Sequence, residues 1–86
     1  MRARSRPVLD RVDRNGEAAV LVERRVVRLS PLAVALVDRC ADWAEEGDLA
    51  VELVRRFGEP PDGTSALQAT RGALQDLAAE GLVDLD

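Results

Sequence analysis

The spacing of apolar residues changes its period once, at Ser30-Pro31, and that break limits the chain to a small set of folds. Before it, apolar and polar residues alternate two by two, the repeat of a half-buried strand. Val8, Asp10 and Val12 fall on one side of a first predicted strand, and Leu9, Arg11 and Asp13 on the other. Arg14-Asn15-Gly16 follows, and Asn-Gly favours the positive φ of a tight hairpin. Glu17 to Glu23 reads as a second strand, Arg24-Arg25 as a turn, and Val26 to Leu29 as a third strand. The front third is therefore expected to be a three-stranded antiparallel β-meander. Ahead of it, residues 1–6 are arginine-rich with little to pack, and are expected to be a disordered basic tail.

After the break the repeat is helical. Serine's hydroxyl can accept a bond from a free first-turn amide, and proline at the first helical position has no amide to leave unpaired. A helix is predicted from Pro31 to about Ala41, with Leu32, Leu36 and Cys40 as its apolar stripe and Val37 beside them. A second helix, ending at Phe57-Gly58, starts either at an Asp42/Glu45 capping box or later at Asp48; Leu49, Leu53 and Phe57 face the core. The turn formers from Gly58 to Gly63 break the chain. Thr64 or Ser65 then caps a third helix to Glu80, and Gly81 ends it. Leu82 to Leu85 is a strand stub or a packed tail. The fold class is α+β: a meander followed by three helices, one domain over residues 7–86.

The 86 residues contain no His and one Cys, so histidine acid/base catalysis, a Cys/His zinc site and a disulfide framework all lack their parts. Neither a cofactor motif nor a nucleophile with a partner base is present, and no enzymatic activity and no cofactor are expected. The longest apolar run, Leu32 to Val37, is far below the ~20 residues that span a bilayer, and the basic start has no apolar stretch behind it. A cytoplasmic, membrane-free location is expected. Charge is unevenly spread: residues 1–30 carry eight Arg against four acids, near +4, and residues 31–86 four Arg against twelve acids, near −8.

Three stretches carry a resemblance. Leu29-Ser30-Pro31-Leu32-Ala33, Leu49 to Phe57, and Leu77-Ala78-Ala79-Glu80-Gly81-Leu82-Val83 are similar, in order and approximate spacing, to the motifs of the PqqD-like family, the recognition elements of ribosomally made, modified peptides (RiPPs). The likeness runs from Pro7 to Leu85. Ser30 stands where the family usually has Asn, and Asp42-Trp43-Ala44-Glu45 stands where it commonly has Asp-Gly and then a capping Thr between the first two helices. The resemblance implies a winged helix-turn-helix-like fold and a non-catalytic adaptor. In that family the leader segment of a precursor peptide lies between the third strand and the third helix.

That edge also follows from the residues, because an outer strand offers unpaired amides and carbonyls to a guest chain. The bed of the site is expected from Arg25, Val26, Val27, Arg28 and Leu29, and its wall from Leu67, Thr70, Arg71 and Leu74. Ala66, Ala69 and Ala73 are a competing wall. Arg24, Arg25 and Arg28 should give the groove positive potential and steer acidic leaders toward it, more weakly in salt. An adaptor of this kind needs an enzyme to receive the peptide, and the resemblance implies a leader peptidase, as in lasso peptide pathways, or a radical SAM enzyme, as in cofactor-precursor pathways. Two rivals are a DNA-binding winged helix and a dimerisation module. The first is disfavoured because residues 65–80 carry Arg71 against Asp76 and Glu80, a net negative face for a duplex-reading helix.

Overall fold

The computed structural model describes residues 1–61 and 63–86. Two three-stranded antiparallel sheets and three helices make an α+β fold. One sheet is the meander: β2 (Asp10–Arg14), β3 (Glu17–Val22) and β4 (Arg25–Leu29), with β3 in the centre. Asn15 and Gly16 both take positive φ, 54° and 79°, as the first hairpin turn requires. The second turn falls on Glu23-Arg24, one residue earlier than the sequence suggests, with Val22 opposite Arg25. Glu23 adopts the left-handed conformation there at φ 55°. With no glycine available, the exposed glutamate takes the strained position and Arg25 is freed to join the strand.

Period-two alternation decides which side of this sheet is buried. Ala18, Val20, Val22 and Leu29 point inward and are at most 8% exposed. Beneath them lie α1 (Pro31–Arg39), α2 (Glu46–Phe57) and α3 (Ala66–Ala79). Ser30 caps α1 by accepting from the Ala33 amide, and Ser65 caps α3 in a reciprocal box with Gln68. Leu36, Cys40, Leu49, Leu53, Leu74 and Leu77 fill the space between helices and sheet. Burial pushes the Cys40 thiol up from its ordinary value, which keeps it protonated as a packing residue.

The largest departure from the sequence reading lies at the ends of the chain. Residues 2–5, expected as part of a frayed tail, form β1 (Arg2–Ser5), the central strand of a second sheet between β5 (Ala44–Glu45) and β6 (Val83–Leu85). Ala3 is fully buried in it. Further bonds lace the segment down: the Ser5 amide donates to the Cys40 carbonyl at 2.7 Å, its hydroxyl to the Val37 carbonyl at 2.6 Å, and the Arg6 amide to the Leu82 carbonyl at 2.9 Å. The arginines stay useful on the outer side. Arg2 and Arg4 lie over the Trp43 ring, 5.2 and 4.7 Å from its centroid, and Arg2 also pairs with Asp86. A tail with one small apolar residue carries no detectable periodicity, so local sequence hides a strand that exists only through pairing with distant partners.

The same pairing corrects the start of the second helix. Asp42 bonds the next amide, of Trp43, rather than capping a helix, and residues 44–45 are drawn into β5. Helix α2 then begins at Glu46 with no side-chain cap, and Gly47 sits in its first turn. Phe57 is 44% exposed at the other end, so it lies outside the core. The turn-forming segment 58–63 includes Asp62, which lies outside the described residues.

Candidate functional site

Strand β4 is an edge of its sheet, hydrogen-bonded to β3 alone. A two-residue turn makes Val22 and Arg25 a bonded pair, and alternation along an antiparallel ladder then turns the backbone groups of Val26 and Arg28 toward the free edge. Beside that edge runs an open groove of about 800 Å³. Its bed is β4 from Arg25 to Leu29, its far end is the first turn of α1 at Ser30, Leu32 and Ala33, and its wall is the C-terminal half of α3.

The five strand residues expected in the bed all line this groove, whereas the expected wall does not. Thr70 and Leu74 are 1% and 0% exposed, buried in the core beneath it, and Leu67 is 41% exposed outside it. The wall is instead Ala73, Asp76, Leu77 and Glu80, one shoulder further around α3. Of the competing alanines, Ala73 lines the groove; Ala66 and Ala69 line a second cavity at the other end of the helix. A helix rotates as a unit about its most apolar face. Thr70 and Leu74 win the core, the groove receives the stripe beside them, and Leu77 is shared between the two.

Arg71 points away from the groove altogether. Its guanidinium grips Glu46 at the start of α2, with Nε 2.9 Å from Oε2 and Nη2 2.5 Å from Oε1. The Met1 amino group lies 3.7 Å from the same carboxylate. Bonding to Arg71 holds the Glu46 carboxyl below the usual carboxylate range and raises the Arg71 guanidinium. A depressed folded pKa stabilises fully above the unfolded value, about 4.3 for Glu, and that stabilisation is lost as pH falls through the folded value. The wild-type urea midpoint should therefore decline on acidification below about pH 4.3 more steeply than that of Glu46→Gln. Equal slopes in the two proteins would show that this pair contributes nothing.

The electrostatics of the groove also differ from the sequence reading. Arg25 crosses its mouth to Glu80, with Nη1 2.6 Å from Oε2 and Nη2 donating to the Glu80 carbonyl at 2.8 Å. With Asp76 on the same wall, two arginines in the lining, Arg25 and Arg28, face two acids. The groove is close to neutral. Steering by a cationic strand is not what this geometry provides, since the acidic half of the chain supplies the opposite wall.

The residues that the sequence reading missed were within reach of it. Ala73, Asp76, Leu77 and Glu80 share an i, i+3, i+4, i+7 stripe, and Ser30-Pro31 follows β4 directly, which places the first turn of α1 at the strand's end. Comparison with models of protein families, with curated proteins and with solved structures gives no match to this chain.

The described residues include no group of three or more His, Cys, Asp or Glu side chains placed to hold a metal ion. No helix of the described residues is long and apolar enough to cross a membrane. What the groove offers is an unfilled ladder of backbone donors and acceptors, aliphatic side chains on its bed, and carboxylates along one lip.

Proposed function

We infer that the chain is a peptide-binding adaptor that takes an extended guest segment as a fourth strand on β4. The observation that carries this reading is the free edge of β4 alongside an open groove of about 800 Å³. Backbone bonds to Val26 and Arg28 would supply affinity, while Val27, Leu29 and Leu77 would select side chains on the inward face. The likeness to the PqqD-like family points the same way. It adds a winged helix-turn-helix-like description of the fold, a RiPP precursor leader as the guest, and a leader peptidase or radical SAM enzyme as the recipient. On this reading the domain acts by raising the concentration of peptide near its catalyst.

The DNA-binding alternative is weakened by α3, whose single cation, Arg71, is engaged by Glu46. Self-pairing of β4 is an outcome to be separated by experiment.

A proline at Val26 tests the mechanism directly. Val26 is 70% exposed and its amide faces the free edge, where proline is tolerated, so folding should survive. Loss of the outward amide should weaken binding of the leader encoded beside this gene about tenfold or more, measured by isothermal titration, with the melting temperature within a few degrees of wild type. Unchanged affinity, or a shift of duplex DNA with no leader binding, would end the strand-addition reading. A concentration-dependent dimer abolished by Val26→Pro would assign the edge to self-pairing.

A further inference from the structure

The geometry points to a second subsite of this groove: the apolar cavity at the N-terminal end of α3, which takes a bulky aliphatic or aromatic side chain of the same guest chain. This rests on the strand-addition reading and extends it from backbone recognition to a side-chain requirement. The cavity, of about 280 Å³, is walled by Leu53 and Phe57 of α2, Pro60 and Pro61 of the connecting loop, and Ala69 and Thr70 of α3. Among the described residues its only charged lining residue is Glu59, unlike the lipped groove.

Continuity with the β4 groove identifies the occupant. Leu32 lines both spaces, so one begins where the other ends. They also lie along one continuous stripe of α3, from Ala66, Ala69 and Thr70 through Ala73 to Leu77, with Glu80 just past the end of the helix. That stripe spans the 14 residues of the helix, about 21 Å, the reach of an extended chain of six or seven residues. A guest paired along β4 and carried on past Leu29 thus meets an apolar pocket without leaving the seam.

Two features make the pocket a receptor for a side chain rather than a packing flaw. The α3 residues at its rim are alanines, with Ala69 exposed, so the entrance is open where a larger residue would close it. Phe57 is 44% exposed at the cavity edge instead of turning inward; the Arg56 guanidinium lies over its ring, 5.5 Å from the centroid, and the rest of the ring lines the cavity. The recognised segment is accordingly bipartite: a β-pairing stretch opposite Val26 to Leu29 and one large apolar anchor at the Leu32 end.

The test uses a random twelve-residue peptide library displayed on phage, selected against the intact protein, followed by synthesis of the best binder and of its variant with the anchor changed to Ser. Selected peptides should share one Leu, Met, Phe or Trp at a fixed end of a strand-like stretch. The Ser variant should bind about tenfold or more weakly, from the apolar area no longer buried. In methyl and amide spectra of the unmodified protein, the parent peptide should shift Ala66 and Ala69 together with Val26 and Arg28, and the Ser variant only the latter pair. Ala69→Leu, which plugs the entrance from an exposed position, should remove the difference between the two peptides. If peptides perturb β4 but the anchor is irrelevant and the Ala66 and Ala69 methyls stay silent, the subsite is refuted and strand addition stands. If β4 itself never responds, both ideas fall.

Discussion

Replacing Ala3 by Asp is expected to lower the stability of the protein by about 3–5 kcal/mol, because it buries a carboxylate with no partner in the middle of a sheet. Ala3 is fully buried, opposite Ala44 on one side and Leu85 on the other. A domain of this size has about 4–13 kcal/mol in total, so the variant should melt tens of degrees lower or be unfolded at 37 °C. Arg4→Ala supplies the parity control. Arg4 points outward over Trp43, and its removal should cost no more than about 1 kcal/mol. Trp43, the only tryptophan, is half-buried beside β1, and its fluorescence during urea unfolding reads both variants. Equal, small effects at residues 3 and 4 would mean that the N-terminal segment is the loose tail its composition suggests.

The second large effect is expected from Leu74→Ala. Truncating a fully buried leucine between α3 and the sheet should cost about 2–5 kcal/mol through lost transfer energy and the cavity left behind. At roughly 4–8 °C per kcal/mol the melting temperature should fall by at least about 8 °C. Leu67→Ala, on the same helix but 41% exposed, should change stability by about 1 kcal/mol or less. The comparison separates a core leucine from a surface one, and it also bears on the guest: neither side chain lines the β4 groove, so peptide affinity per folded molecule should be unchanged in both. A leader affinity that drops with Leu67→Ala would return the wall of the site to the face that the sequence favours.

Much of the fold was legible because its signals are local. The alternation around Val20 and Val22, Asn15-Gly16, Ser30-Pro31 and the Ser65/Gln68 box each act within a few residues, and each appears in the structure as the strand, turn or helix start that its chemistry requires. The bed of the groove belongs to the same class. Once β4 is the last strand of a meander, it lies at an edge by connectivity.

Three features were not local, and only the tertiary structure decided them. The strand at Arg2–Ser5 has no periodicity of its own and forms because Ala44–Glu45 and Val83–Leu85 arrive on its two sides, more than forty residues later in the chain. Rotation of α3 was settled by competition for the core, which took Leu74 and gave Ala73 and Glu80 to the groove. The charge of the groove depended on which acids fold against Arg25, a choice made by packing across 55 residues of sequence separation. Sequence by itself determined the three-stranded meander and the presence of three helices, since those free energies come from neighbours along the chain. Which faces meet, and therefore what the site looks like, came from burying one shared core.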